Sequence, residues 1–343
     1  MKTRILILCF ILVTAALVFA GGGREAGGAG AAAQDAQLTL RIGISTNDQD
    51  PRAIAALEFG REIEARTGGN LRVQLFHSGQ LGGDGALIEA LALDTGTVDI
   101  IITDASNFAP WVPRMGISAL PFLFADFDTA WRFMDSDIHA DVERELISHN
   151  MRVLARYCNG FRCVTTGSRV IRTPADMNGM LIRTPENPVI MATMRALGAN
   201  PQPLAFSELY MALSQGTFDA QENPIPVIFN NRLFEVQGHL SLTNHIYSGM
   251  CFTIAESTWR RLSVSQQQIV LEAAQASART NREMNRRMTE EFLALLETEG
   301  GMTITQPDLP LFIEASRTVL DGLAGTFGAD LMSRMNVWLT ANQ

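Results

Sequence analysis

Residues 181–223 read LIRTPENPVIMATMRALGANPQPLAFSELYMALSQGTFDAQEN. In this stretch Arg183 ends a short apolar strand, Phe206 precedes a helical segment, and Asn223 follows a second short strand. A guanidinium fork, an aromatic face and an amide are the groups with which a protein holds a small carboxylate. The alternation of strands and helices predicts an α/β fold, and the three side chains predict a carboxylate site at strand ends, where α/β sheets bind ligands.

Two further polar residues stand next to predicted strands. Arg162 follows the turn signal Asn159-Gly160, which places it at the start of a strand. Asp104 comes just past an apolar strand and faces the same cleft if the strands pair in parallel. Simpler interpretations of the arginines stay open, with Arg183 as a surface residue paired with an acid and Arg162 as a cation that balances Glu222.

Four other residues allow two interpretations each. His245 and Tyr247 are either cleft groups or, more commonly for these residue types, packed side chains with a satisfied polar tip. Cys158 and Cys163 flank the predicted turn, so they either pair in an oxidising compartment or remain buried free thiols.

The first twenty residues have the features of an export signal. Lys2 and Arg4 precede an uncharged apolar run over 5–18, and Val18-Phe19-Ala20 is typical of a cleavage site. About fourteen apolar residues are fewer than the ~20 that span a bilayer, which favours a cleaved signal peptide, 1–20, over a membrane anchor. Residues 21–36, almost all Gly and Ala, predict a flexible leader.

The charge balance limits the possible partners. The formal charge is −9, and loss of the two basic residues with the signal makes it −11. An acidic chain is a poor match for nucleic acid or an anionic membrane surface. A bound anion must therefore be stabilised by local groups rather than by the overall field.

The remaining length, about 307 residues, favours two lobes over a single core. Apolar periodicity predicts a first lobe of alternating strands and helices, at 38–44, 51–67, 71–76, 86–94 and 98–103. This spacing predicts parallel strands joined by right-handed crossovers. A second lobe is predicted from short strands at 163–166, 181–183 and 218–221 and a helix at 208–215 capped by Ser207. Residues 249–255 are predicted to form a strand that returns to the first lobe.

The longest helical signal spans 263–299. It opens with a capping box from Ser263 to Gln266 and ends at Gly300-Gly301. At ~1.5 Å per residue such a helix exceeds 50 Å, which is long enough to brace two lobes. A helix broken near 279–281 is the alternative.

Motifs of common enzyme classes are missing from the sequence. It contains no G-x-S-x-G, no H-E-x-x-H and no Walker loop, and its histidines lack metal-ligand spacing. The glycine run SGQLGGDG lacks the G-x-G-x-x-G order of a phosphate cradle and predicts a structural turn. We therefore predict no catalytic residue, no metal and no cofactor.

Residues 181–223 resemble, in sequence and in spacing, the solute receptors of tripartite ATP-independent periplasmic (TRAP) transporters, in the dicarboxylate-receptor branch. The resemblance extends over most of the chain. The resemblance implies a periplasmic, two-lobed receptor with a long bracing helix that passes a small organic acid to a membrane permease. It implies that Arg183 binds the carboxylate, with Phe206 and Asn223 in the same site. By the same resemblance, Arg162 points at the ligand and Asp104 accepts bonds from ligand hydroxyls.

Two positions depart from the sialic-acid receptors of that family. Asn107 stands where they have another arginine, and Glu186 stands where they have an asparagine. An acid beside a bound anion repels it unless the acid bonds a ligand hydroxyl or points away. The departures therefore disfavour sialic acid itself and suggest a smaller or less anionic ligand. Asp104 and Glu186 suit hydroxyl donors better than a second carboxylate, so we expect a hydroxylated monocarboxylate such as a sugar acid ahead of a simple dicarboxylate.

The expected lobes are 37–160 with 249–288, and 161–248 with 289–343. Two other functions remain possible from the sequence. One is a periplasmic enzyme that acts on the same acids, for which only Asp104, Glu186 and His245 offer an acid or base. The other is a sensor module that signals to a membrane kinase.

Overall fold

A computed structural model of the protein describes residues 37–342. The predicted signal peptide, 1–20, and leader, 21–36, lie outside the described residues. Among the helices within 37–342, none combines the length and the hydropathy needed to span a bilayer.

The first part of the described chain alternates strands and helices as predicted. Its elements are β1 (Leu38–Gly43), α1 (Pro51–Arg66), β2 (Leu71–Phe76), α2 (Asp84–Ala92) and β3 (Ile100–Asp104). Each lies within two residues of its predicted bounds. Helix α1 starts where it does because the side chain of Asp50 accepts a hydrogen bond from the Arg52 amide, and Pro51 occupies the first turn.

The rest of the described chain adds six more strands and nine more helices. They are α3 (Phe127–Met134), α4 (Asp137–Glu145), β4 (Met151–Thr166), β5 (Leu181–Thr184), α5 (Pro188–Ala196), β6 (Asn200–Pro203), α6 (Leu209–Ser214), β7 (Ala220–Pro224), α7 (Ile225–Asn230), β8 (His239–Ala255), α8 (Glu256–Arg261), α9 (Val264–Thr298), β9 (Thr303–Thr305), α10 (Leu309–Phe327) and α11 (Ala329–Asn342).

One sheet carries all of these strands in the order β2-β1-β3-β8-β4-β7-β5-β6, with β9 paired to β8. β1 pairs in parallel with β2 and β3, and β5 pairs in parallel with β6 and β7. Between these two parallel groups, the long strands β4 and β8 run antiparallel to each other and to β7 and β3, whereas β9 pairs in parallel with β8. A parallel group at each end of the sheet confirms the predicted two-lobed α/β class, whereas the predicted lobe boundaries stay a prediction.

Strands β4 and β8 are far longer than predicted, and the turn expected at Asn159-Gly160 is wrong. β4 continues through these residues, and its register against β8 shifts between Cys158 and Gly160, opposite Ser248 and Gly249. Gly160 has φ 114°, and a side chain there would meet Pro224 at 3.1 Å. A glycine at positive φ serves a β-bulge as well as a turn, which is why the same signal predicted the wrong structure.

Helix α9 confirms the predicted long helix and is unbroken at 279–281. Ser263 and Gln266 form the predicted capping box. Midway along the helix, Asn281 Oδ1 accepts a hydrogen bond from the Cys158 amide at 2.7 Å, and Asn285 Nδ2 donates to the carbonyl of Asn159 at 3.1 Å. These asparagines satisfy backbone groups that the bulge in β4 leaves unpaired in the ladder.

The two halves of α9 pack against different cores. Val270 and Ala274 join the apolar cluster that contains Phe59 of α1. Phe292 belongs to the cluster under α7, where its ring stacks on Phe229 with centroids 4.3 Å apart. The helix therefore contacts both parallel groups, as expected of a brace.

Candidate functional site

A cavity of about 390 Å³, including its opening to solvent, lies where the two parallel groups meet. Its walls come from the carboxyl ends of β1, β3 and β5, from β7, and from the bulged middle of β4 and β8. Six of the seven predicted site residues line it, namely Asp104, Asn107, Arg162, Arg183, Phe206 and Asn223. The seventh, Glu186, does not.

Arg183 is the most unusual cation of the cavity. Its side chain is only 2% exposed, and its Nε and Nη2 donate to the carbonyl of Leu204 at 2.9 and 2.5 Å. The guanidinium lies over the Phe206 ring, 5.8 Å from the centroid. No ion pair within 37–342 involves Arg183, and burial lowers its pKa to about 10. At neutral pH it is therefore a buried positive charge that no carboxylate of 37–342 pairs with directly, although the charges of Glu222 and Asp84 act on it from a distance.

Arg162 has the opposite environment. Its Nε contacts Glu222 Oε2, and its Nη2 donates to Glu222 Oε1 at 2.7 Å and to the Glu222 carbonyl at 2.8 Å. Burial raises the pKa of Glu222, but the charge and hydrogen bonds of Arg162 outweigh that effect and lower it to about 2. Of the two interpretations of Arg162, the structure shows the balancing of Glu222, while the same guanidinium also lines the cavity.

His245 and Tyr247 are packed rather than placed in the cavity. His245 is fully buried, with Nδ1 2.8 Å from Thr243 Oγ1 and Nε2 3.2 Å from Glu222 Oε2. Burial lowers the pKa of His245, so it is neutral and donates from Nε2 to the carboxylate. Tyr247 packs its ring against Phe161.

Asn223 and Phe206 complete the Arg183 side of the cavity. Asn223 Nδ2 donates to Gln221 Oε1 at 2.6 Å, and its Oδ1 accepts from Arg162 Nη2 at 3.3 Å. Phe206 begins a short 3-10 turn, and α6 follows at Leu209. The predicted cap from Ser207 is wrong, because Ser207 lies inside that turn and makes no cap hydrogen bond.

Asp104 and Asn107 lie at the end of β3. Asp104 Oδ1 accepts from the amide and the hydroxyl of Ser106, and its Oδ2 accepts from Ser248 Oγ at 2.5 Å. Asn107 Nδ2 donates to Thr103 Oγ1 at 3.0 Å. Each of these side chains is thus held by neighbours while it faces the cavity.

Glu186 is exposed, so the residue predicted to face the ligand points to solvent. The next residue, Asn187, is buried instead, because its Oδ1 accepts from the amides of Val189 and Ile190 and caps α5. The sequence signal was available: Asn187 precedes Pro188, which is the pattern of an N-cap before a first-turn proline.

Arg52, Asp84 and Thr46 are among the polar groups of the cavity that sequence reasoning missed. Arg52 is buried and bonds Asp50 with Nε and Nη2, each at 2.8 Å. Burial raises the pKa of Asp84, and the positive charge of Arg52 only partly offsets this increase. Asp84 Oδ1 and Thr46 Oγ1 are both buried without a hydrogen-bond partner in the part of the chain that the structure describes. The glycine run SGQLGGDG, which was predicted to be a structural turn, therefore contains one residue of the cavity, Asp84.

None of the cysteines of the described residues lines the cavity. Cys158, Cys163 and Cys251 are buried free thiols, the second of the two predicted alternatives. Within 37–342 no group of three or more His, Cys, Asp or Glu side chains is arranged to hold a metal ion.

Comparison with known proteins agrees with the fold. The model of the DctP family, bacterial extracellular solute-binding protein family 7, matches residues 42–325. The 2,3-diketo-L-gulonate-binding periplasmic protein of Escherichia coli K12 is 35% identical over 280 residues, which are 82% of this chain and 85% of the relative.

Solved structures are similar as well. A TRAP periplasmic solute-binding protein of Polaromonas sp. JS666, bound to D-erythronate, has a TM-score of 0.84 at 33% identity and covers 87% of this chain and 98% of its own. Another, from Sulfurospirillum deleyianum with bound succinate, has a TM-score of 0.83 at 28% identity over 88% of this chain and 99% of its own. By sequence and by fold, the chain belongs to the DctP family of bacterial extracellular solute-binding proteins, the TRAP solute receptors that residues 181–223 resemble.

Proposed function

We propose that this TRAP solute receptor binds a hydroxylated monocarboxylate, such as a sugar acid, and delivers it to a TRAP-type permease. The single observation that carries the carboxylate assignment is Arg183. It is a buried guanidinium that faces the cavity and forms no ion pair with any carboxylate of the described residues. Burying a charge without a partner is costly, and a ligand carboxylate offsets that cost with a bidentate pair.

The charges opposite Arg183 favour hydroxyls over a second carboxylate. Arg52 and Arg162 are already paired with Asp50 and Glu222, so they leave no net charge for another acid. Asp84 and Asp104 line the same cavity and would repel a second carboxylate, whereas each accepts a hydrogen bond from a hydroxyl. The unpartnered Thr46 Oγ1 supports the same chemistry, since a hydroxyl both donates and accepts.

The ligands of the similar proteins fall into two classes, hydroxylated acids with one carboxylate and acids with two carboxylates. Diketogulonate and D-erythronate are hydroxylated acids with one carboxylate, and succinate has two carboxylates and no hydroxyl. The acidic side chains in this cavity favour the first class for this chain.

Binding is proposed to close the predicted lobes on the ligand. The bulge where β4 and β8 cross, at 158–160 and 248–249, is the natural hinge, because the ladder is interrupted there. Ligand bonds to both sides of the cavity favour the closed form by the difference in affinity between the two forms.

The protein is proposed to work in the periplasm, after cleavage of residues 1–20, and as a receptor rather than an enzyme. His245, the one histidine that the sequence offered as an acid or base, is buried behind Glu222 and does not line the cavity. The predicted permease partner follows from the family.

Calorimetry with matched acids tests the ligand class. D-erythronate and larger aldonic acids are expected to bind, whereas succinate and unsubstituted butanoate bind at least about tenfold more weakly, because they offer Asp84 and Asp104 no ligand hydroxyl. Tight succinate binding with no response to any hydroxylated acid would overturn the assignment.

A further inference from the structure

Asn187 connects the two sides of the cavity directly. Its Nδ2 donates to Ser106 Oγ at 2.5 Å and to Asn107 Oδ1 at 3.2 Å. Asn187 follows β5, the strand of Arg183, whereas Ser106 and Asn107 follow β3, the strand end of Asp104. These bonds therefore run between the two predicted lobes and involve protein atoms alone.

The direction of every bond around Asn187 is fixed. Its Oδ1 accepts from the amides at the start of α5, so its Nδ2 faces Ser106 and Asn107 as a donor. Because Ser106 Oγ accepts from Asn187, its hydroxyl hydrogen is free to donate to Asp104 Oδ1. A single chain of hydrogen bonds thus links α5 to the Asp104 carboxylate in the opposite lobe.

A second asparagine makes a similar connection at another edge of the cleft. Asn47, in the loop after β1, donates from Nδ2 to the carbonyl of Asn230 at 2.8 Å and to Asn231 Oδ1 at 3.2 Å. Asn230 Nδ2 donates back to the carbonyl of Gln49 at 3.3 Å. The loop after β1 is in the first predicted lobe, and α7 with the residue after it is in the second.

We propose that Asn187 and Asn47 are clamps that hold the cleft closed, and that Asn187 is in addition a positioning residue for Asp104. The proposal rests on the proposed receptor function. When the lobes separate, the bonds of both clamps break, and Ser106 loses the partner that directs its hydroxyl toward Asp104. Closure therefore sets the orientation of the carboxylate that meets the ligand hydroxyl, and the clamps contribute to affinity without touching ligand.

Asparagine-to-aspartate variants replace each clamp donor by an acceptor oxygen, so the bonds to Asn107 Oδ1 and to the Asn230 carbonyl are lost. In Asn187→Asp the new carboxylate still caps α5, because Asp is as good an N-cap as Asn. In Asn47→Asp the bond that Oδ1 accepts from the Gln49 amide is kept. Charge is matched by combining Asn187→Asp with Glu186→Gln and Asn47→Asp with Asp48→Asn, since Glu186 and Asp48 are exposed neighbours. Glu186→Gln and Asp48→Asn alone are the controls.

Calorimetry with D-erythronate and X-ray scattering of the unliganded proteins test the clamps. Each charge-matched variant is expected to bind about threefold to thirtyfold more weakly, as for the loss of one or two net hydrogen bonds. The unliganded parent is expected to populate the closed form in part, so a variant that lacks both clamps is expected to have a larger radius of gyration without ligand than the parent. Affinities and radii of gyration equal to those of the control variants would contradict the proposal that Asn187 and Asn47 hold the cleft closed.

A double-mutant cycle with Asp104→Asn tests the positioning role. The Asn187 effect is expected to shrink in the Asp104→Asn background, whereas the Asn47 effect is expected to add, because only Asn187 acts through Asp104. Full additivity of Asn187→Asp with Asp104→Asn overturns the positioning role. A parent that binds no hydroxylated acid refutes the proposed function instead, and the scattering comparison still decides the clamps.

Discussion

Arg162 and Arg183 lie on the two strands that flank β7, and they differ in what surrounds them. Arg162 pairs with Glu222 through both its Nε and its Nη2, and His245 supports the same carboxylate. Arg183 has a carbonyl and an aromatic face, but no acid. Both side chains are buried in one cavity, so burial alone does not separate them.

The difference is one of charge compensation. A buried guanidinium with its own carboxylate is part of the structure, because removing either partner leaves an unpaired buried charge. A buried guanidinium without one weakens the fold until an external anion pairs with it. The contrast predicts that Arg162 variants lose stability first and that Arg183 variants lose binding first.

The largest expected effect is on stability, in Arg162→Met. We expect a loss of about 3–5 kcal/mol in the free energy of unfolding, because Glu222 is left buried and unpaired. Denaturant titration measures it, and Arg162→Met with Glu222→Gln is expected to recover part of the loss. Arg232→Met is the matched control, since its pair with Glu235 is largely exposed and contributes about 0–1 kcal/mol. A loss in Arg162→Met no larger than the control would contradict the structural role.

The pH dependence of stability sharpens the same contrast. The pKa of Glu222 is lowered from its usual 4.5 to about 2 in the folded protein. A lowered folded pKa contributes stability that is present above pH 4.5 and is lost as pH falls toward 2. The stability difference between the parent and Glu222→Gln is therefore expected to be largest above pH 4.5 and to shrink toward pH 2. A difference that stays constant over this range would show that Glu222 is not held as an anion by Arg162.

A smaller effect is expected in Asp104→Asn. Removing one buried acceptor for a ligand hydroxyl is expected to cost ~1–3 kcal/mol of affinity for a hydroxylated acid. Calorimetry gives the affinity, and mass spectrometry of the bound ligand after long incubation is expected to find it intact in parent and variant. Asp104-dependent conversion of the ligand would instead indicate an enzyme.

Much of the fold could be predicted because it depends on local pattern. The alternating strands, the capping box at Ser263 and the long helix are encoded by periodicity and caps, and the structure confirms them. The length of β4 and β8 could not be predicted this way. Their pairing joins residues about a hundred positions apart, and the bulge at Gly160 has the same local signal as a turn.

The site divides in the same manner. Residues at the ends of predicted strands, such as Asp104 and Arg183, line the cavity, and a role in binding ligand stays a prediction. Whether Arg162 was free or paired depends on Glu222, which lies on the neighbouring strand β7, two residues from the position opposite Arg162. Local sequence patterns do not encode that contact. Glu186 was predicted to face the ligand, but it does not line the cavity. The cap of α5 turns the side chain of Asn187 inward and leaves Glu186 exposed.

The central claim is that Arg183 is the uncompensated cation that binds the ligand carboxylate. The most direct test measures the binding of a sugar acid and the unfolding free energy of Arg183→Lys side by side. We expect binding to weaken by about 2–5 kcal/mol, because lysine cannot form the bidentate pair, with no loss of stability in the unliganded protein. Parent-like affinity, or a stability loss as large as that of Arg162→Met, would contradict the account.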